Sequence, residues 1–298
     1  MRILFIGESY LPQLCGMTAV TRYLAEGLVS RGHKVGIATQ SHFDNDKNVE
    51  ILNGVEINRF RIRRNLLKYP VGELKLFIDF VLRSEYDVYI FECIGSLTSD
   101  ILMPYIDKIR GLKILHTHGN WFKTMHPFVI RQNLKFTLGN TYNYLRLWFQ
   151  NLYSYPKFIK AFDEVIILSS VSSDKEIVCE NACKYEVLDN AADDIFFEEY
   201  NKVEPLNYPL QTKYNKYIIS IANFQKVKNQ MLMVRSYYES DLTDVSLVMI
   251  GSKKNDYYQL VADYVSKQSK KYPRKDVDRC RAEKNPKYFE VCKFIFGL

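Results

Sequence analysis

The sequence predicts an α/β protein with two parallel-sheet domains, and three observations carry that prediction. Its 298 residues match two domains at a prior of about 150 residues each. Short apolar runs alternate with helix-periodic segments from the first residues onward. The same alternation restarts near Tyr217, after a stretch that has lost all periodicity. The composition is ordinary for a globular chain, 47% hydrophobic and 25% charged, which excludes disorder, a collagen-like chain and a small disulfide scaffold.

The elements follow in order. Arg2–Ile6 is bulky and continuous in its apolar character, as a buried parallel strand should be. Glu8 interrupts that run, so it does not read as a signal peptide, and no window approaches a membrane span. A loop reaches Gly16. Met17, Val20, Leu24, Leu28 and Val29 then recur at three- and four-residue spacing, the mark of a helix face ending at Gly32. Lys34–Ala38 is a strand, and Val55, Ile57, Phe60 and Ile62 suggest another. Tyr86–Phe91 and Leu112–His116 follow, with a helix after Ser99 between them. Residues 121–162 interleave Trp, Phe and Tyr with Lys and Arg. They read first as aromatic-rich core helices with solvated basic faces, and second as a membrane-surface or acceptor-side element. Asp163–Leu168 and Tyr185–Leu188 are strands.

Ile195–Tyr214 carries Pro205 and Pro209 and reads as a linker. The domains are therefore expected at 1–195 and 215–298, with 196–214 between them. In the second domain, Tyr217–Ile221 and Val245–Ile250 read as strands, Asn229–Tyr238 and Tyr257–Lys271 as helices. Lys270–Lys287 reads as loop or exposed helix, and Val291–Phe296 as a last strand. A parallel strand is normally followed by a covering helix, so the second domain is expected to be incomplete.

The six cysteines offer only Cys179 and Cys183 at close spacing, a poor zinc pattern. No Gly-x-Gly-x-x-Gly or P-loop is present. Gly16, just before a helix, leaves backbone N–H groups and a positive dipole end available to a phosphate. His116-Thr117-His118-Gly119 lies at the carboxyl end of a strand, where open α/β sheets bind ligands. The two histidines are read as pointing to opposite faces, so that they share no metal, one being structural and one facing the crevice; an extended strand does not decide which, and His118 lies nearer the loop. Lys226 and Lys228 lie in a strand-to-helix turn, where a lysine can neutralise a diphosphate. Lys and Arg exceed Asp and Glu by 41 − 34 = 7. That excess favours anionic partners, but the basic residues are dispersed and no nucleic-acid motif is present.

Taken together, these segments resemble family-four retaining glycosyltransferases of the GT-B fold. The resemblance rests on Ile3-Leu-Phe-Ile-Gly, the Gly16 loop, Ser30-Arg-Gly-His-Lys-Val35 and Tyr86-Asp-Val. It continues through His116-Thr-His-Gly, Phe162-Asp-Glu-Val-Ile-Ile-Leu-Ser169, Val187-Leu-Asp-Asn-Ala-Ala-Asp193, Ile219-Ser-Ile-Ala-Asn-Phe, Lys228-Asn-Gln230 and Leu247-Val-Met-Ile-Gly251. It implies two Rossmann-like domains, the second incomplete. It implies transfer of a sugar from a nucleotide-diphosphate sugar to a glycan or lipid-linked acceptor, in polysaccharide biosynthesis. On this resemblance His118 is catalytic, Gly16, Asn223, Lys228 and Gly251 serve the donor, and Tyr10 and Asn120 lie on the acceptor side. No metal or other cofactor is implied, and no nucleic-acid partner. The implied location is the cytoplasm, at the inner face of an anionic membrane. Four departures stand out: Cys15 for a glycine, Asn223 for an arginine, Ala191 for a glycine, and no paired glutamates after Val291–Phe296. The last suggests a truncated chain, and with it the alternative of an inactive binding module.

Overall fold

The computed structural model describes residues 1–13, 15–42, 46–119, 134–190, 216–251, 255–272 and 276–281. Asn120, Ala191, the expected linker 196–214 and the expected strand Val291–Phe296 lie outside the described residues. The chain divides into two compact units, Met1–Phe197 and Glu198–Leu298.

In the first unit, β1 (Arg2–Ile6) leads through α1 (Gly16–Ser30) to β2 (Lys34–Gln40). The hairpin β3 (Val49–Leu52) and β4 (Val55–Phe60) follows, then a smaller one, β5 (Ile62–Arg64) and β6 (Pro70–Gly72). Next come α2 (Leu74–Arg83), β7 (Val88–Glu92), α3 (Leu97–Leu102) and β8 (Leu112–His116). The unit continues with α4 (Leu134–Phe149), α5 (Tyr155–Lys160), β9 (Glu164–Ile167), α6 (Lys175–Asn181) and β10 (Tyr185–Val187). Eight strands form one sheet in the order β10-β9-β8-β7-β1-β2-β4-β3, parallel except where β3 turns back on β4.

Burial explains why β1 reads as a continuous apolar run. Leu4 and Ile6 enter a core with Phe91, Leu115 and Ile167 on one face of the sheet, while Ile3 and Phe5 enter a second core with Val35, Ile37 and Ile57. Both faces are covered, so every position must be apolar. Reversal between β1, β7 and β8 occurs off the sheet, and so the carboxyl ends of these strands line up on one edge.

The second unit contains β11 (Lys216–Ile221), α7 (Gln230–Glu239), β12 (Val245–Gly251), α8 (Asp256–Lys271) and β13 (Asp276–Arg281). The three strands are parallel, in the order β11-β12-β13. Phe224, Val234, Leu247, Met249, Val261 and Val265 form its core. Within Lys270–Lys287 the expectation of loop or helix is overturned at Asp276–Arg281, which is a strand registered along β12. Asp-Val-Asp-Arg-Cys-Arg lacks the continuous apolar signature, and charge masked a strand that stands outermost among the described three. Among the described residues, no helix is long and apolar enough to cross a membrane.

Candidate functional site

The carboxyl edge of the large sheet gathers its polar groups from two adjacent strand ends. Glu92 closes β7 and His116 closes β8, and the two are register partners on adjacent strands. Beyond β8 the chain stays extended for one more ladder bond, Thr117 N–H to the Ile166 carbonyl at 2.9 Å, then turns at Gly119 with φ +94°. His118 therefore lies over the same carboxylate as His116. His118 Nε2 is 2.7 Å and His116 Nδ1 is 3.2 Å from Glu92 Oε2, with the two rings 4.5 Å apart. This corrects the expectation of opposite faces. An extended chain returns to the same face every second residue, so His116 and His118 project together.

All three side chains are almost fully enclosed, at 3% for Glu92, 4% for His116 and 7% for His118. Burial pushes the Glu92 carboxyl upward, but the hydrogen bonds and charge of His116 and His118 outweigh it and draw it down to about 2. Glu92 is thus an anion that can only accept, and both facing nitrogens must carry protons. That fixes His118 with hydrogen on Nε2 and leaves Nδ1 as its other ring nitrogen. Oε1 of Glu92 is buried without a hydrogen-bond partner. Asp174, fully buried, accepts from the Gly119 N–H at 3.2 Å and so pins the turn that places His118. The three donors Glu92, His116 and His118 lie within 4.8 Å of one another, close enough to chelate a small divalent ion. In the arrangement observed, Oε2 instead receives two N–H groups.

Sequence reading singled out His118 but missed the residues that orient it. The available signal was Glu92 itself, a carboxylate ending the apolar run Val88-Tyr-Ile-Phe91 at the ligand edge of a parallel sheet. Cys93, next along, is buried in a left-handed conformation at φ 71°. Burial and the Glu92 charge push its thiol up, which makes it a packing residue and no nucleophile.

Gly16 opens α1, and a Cβ built there would meet nothing within 4 Å. Packing does not require this glycine, so the helix N-terminus is open to a ligand. Cys15 precedes it, its thiol 3.3 Å from Thr18 Oγ1, which in turn is 3.3 Å from Ser9 Oγ. Burial raises the Cys15 thiol, but hydrogen bonds to the Thr18 and Ser9 side chains and to the Thr18 and Met17 backbone hold it below the ordinary value. Tyr10 departs from the acceptor-side expectation. It is 2% exposed and packs in the core beside Ile3, Phe5 and Val35, because its ring supplies apolar bulk beneath the loop.

In the second unit, Asn223 follows β11 and its carbonyl accepts from Gln230 Nε2 at 2.9 Å. Lys226–Lys228 is one tight 3-10 turn that exposes Lys228 just before α7. Gly251 ends β12, and a Cβ there would stand 2.4 Å from the Ala222 carbonyl oxygen. That glycine is required by the close approach of the loop after β11, whatever else it does.

No protein-family model and no curated protein sequence matches the chain. Solved structures do. Sucrose-phosphate synthase from Thermosynechococcus elongatus is similar at TM-score 0.59 and 12% identity, covering 94% of this chain and 70% of that one. An α-glucosyltransferase in complex with UDP-glucose and DNA containing an abasic site gives TM-score 0.52 at 14% identity, over 99% and 70% of the two chains. The catalytic domain of starch synthase IV from Arabidopsis thaliana, bound to ADP and acarbose, gives 0.59 at 11% identity, over 95% and 74%. The fold is GT-B. It places Glu92, His116 and His118 on the carboxyl edge of the first unit's sheet, and Lys228 at the equivalent edge of the second unit's.

Proposed function

We propose that the protein is a retaining glycosyltransferase that moves a sugar from a nucleotide-diphosphate sugar to a glycan or lipid-linked acceptor in polysaccharide assembly at the cytoplasmic side of a membrane. The observation that carries this reading is the buried Glu92–His118 pair at the ligand edge of a sheet with the GT-B fold. Solved proteins of that fold have been seen with UDP-glucose and with ADP, which supports a nucleotide-sugar donor. His118 would hydrogen-bond a hydroxyl of the transferred sugar through Nδ1. The open amides at Gly16 and the exposed Lys228 would take the diphosphate charge that develops as the leaving group departs. Asn223 and Gly251 would line the nucleotide side, and Asn120 the acceptor side.

Retention needs either a nucleophilic carboxylate or front-face attack within an ion pair. Glu92 does not suit the first role, since it is buried and its Oε2 already accepts from His118 and faces His116 Nδ1 at 3.2 Å. The reading is therefore front-face transfer, with leaving-group charge carried by helix amides and lysine rather than by a metal cofactor.

The experiment is a donor panel of UDP-, ADP- and GDP-sugars against oligosaccharide, lipid-phosphate and duplex DNA acceptors, with the anomeric configuration of product read by NMR. Transfer with retention is expected on a glycan or lipid acceptor, undiminished after EDTA treatment. His118→Ala should lose about 10- to 100-fold in kcat/KM, the worth of a hydrogen bond to a polarised group. Nucleotide binding without turnover would turn the reading into a sugar-nucleotide-binding module. Neither binding nor turnover would overturn it.

A further inference from the structure

Two peripheral elements of the first unit leave apolar side chains in the open, and they stand side by side. The tip of the β5–β6 hairpin exposes Leu66 at 99%, with Leu67 at 58% and Tyr69 at 55%. On α4 and the wide turn after it, Leu145, Trp148, Phe149 and Leu152 are 48–56% exposed. Their spacing of three and four residues sets them in one stripe along the helix. This divides the aromatic segment that the sequence treats as one. Tyr155, Phe158 and Phe162 fill the core, while Trp148, Phe149 and Tyr153 face outward.

The two elements are tied together beneath the surface. Arg64 of β5 meets Asp100 at 2.8 Å, and Arg146 of α4 meets the same carboxylate oxygen at 3.7 Å. At the surface Tyr142 of α4 stands beside Tyr69 of the hairpin. Two guanidiniums share one carboxylate, so the joint carries a surplus positive charge, and Arg146 Nε is buried without a hydrogen-bond partner. Lys68 adds an exposed charge at the hairpin tip.

A single exposed leucine needs no explanation, but a joined aliphatic and aromatic surface with an exposed lysine at its tip does. Its relief helps to decide what covers it. The leucines stand on a projecting tip, whereas a groove would suit a peptide. Trp and Tyr beside the exposed Lys68 also match the two chemistries of a bilayer boundary, apolar inward and anionic at the headgroups. We propose that the hairpin tip and the α4 stripe form a surface that docks on an anionic lipid bilayer, with Leu66, Leu67 and Trp148 entering the acyl boundary and the exposed Lys68 facing lipid phosphates. This gives the proposed lipid-linked acceptor a place of delivery and rests on that reading only there, since docking is measured with neither donor nor acceptor present.

The test uses the full chain and vesicles of phosphatidylcholine with or without phosphatidylglycerol. Flotation should require the anionic lipid and weaken with salt. In a Trp121→Phe background, Trp148 emission should shift to the blue and be quenched by brominated acyl chains. Leu66→Ser with Leu67→Ser should cut partitioning about tenfold or more, while UDP binding and thermal unfolding stay as in the parent. Three results would overturn the proposal. One is absence of flotation, and another is equal flotation by the double variant. The third is concentration-dependent self-association that the double variant abolishes while vesicles go unbound. Loss of UDP binding alone would strike the transferase reading and leave this one standing.

Discussion

Glu92 concentrates more of the candidate site than any other side chain. Its folded-state carboxyl, at about 2, lies below its ordinary 4.5, so its interactions add stability above pH 4.5. That contribution drains away as pH falls from about 4.5 to about 2, and amounts to roughly 3 kcal/mol in full. Urea unfolding at steps across this range should show the midpoint dropping with acid. Glu92→Gln should unfold more easily at neutral pH, by roughly 3 kcal/mol, because the amide oxygen lacks the carboxylate's charge and the new NH2 is buried at the Oε1 position, which has no partner. Its midpoint should then fall less steeply than the parent's from pH 4.5 to 2, and a slope equal to the parent's would contradict the assignment. Nitrogen-15 shifts of His118 give a second readout. They should report hydrogen on Nε2 in the parent and a changed tautomer balance in Glu92→Gln. The sequence made His118 legible because a histidine at the carboxyl end of an apolar strand is unusual. It left Glu92 unread, since one acidic residue has no period and its partner is 26 residues away.

Helix starts and strand ends show the difference between glycines that serve packing and glycines that leave room. At the start of α1, a methyl on Gly16 would meet open space, so Gly16→Ala should leave stability within about 0.5 kcal/mol. If that helix start receives the donor diphosphate, the same methyl should raise the donor KM roughly tenfold, equivalent to about 1.4 kcal/mol. At the end of β12 the converse holds. The 2.4 Å approach to the Ala222 carbonyl should make Gly251→Ala lose about 1–3 kcal/mol or more in thermal unfolding. Unchanged KM in Gly16→Ala, or unchanged stability in Gly251→Ala, would show that the roles are misassigned. Elements of this kind were readable where both faces of a strand are buried. Arg2–Ile6 and Leu112–His116 were located to the residue. β13, with four charged residues in six, and β3, whose Val49, Ile51 and Leu52 are exposed, follow no apolar rule that the sequence displays.

At the scale of the molecule, the two units divide the proposed work, and that division can be measured. Met1–Phe197 contains the complete eight-stranded sheet with a core on each face. It also contains the Glu92–His118 pair and both elements of the exposed apolar surface. Of the residues proposed to serve the donor, Gly16 lies in this unit, while Asn223, Lys228 and Gly251 lie in the other. Linker position was suggested by lost periodicity and two prolines, whereas the assignment of nucleotide to one unit came from resemblance and has no local signature of its own. A fragment ending at Phe197 should therefore unfold in one cooperative transition, keep the Nε2–H signature of His118 and still float with anionic vesicles. It should show no saturable binding of UDP or ADP by calorimetry. If the fragment binds nucleotide as the full chain does, the nucleotide site belongs to the first sheet's carboxyl edge, and Lys228 loses its role. If the fragment folds but no longer floats, the docking surface needs residues after Phe197, and the hairpin tip and α4 stripe are not sufficient for it.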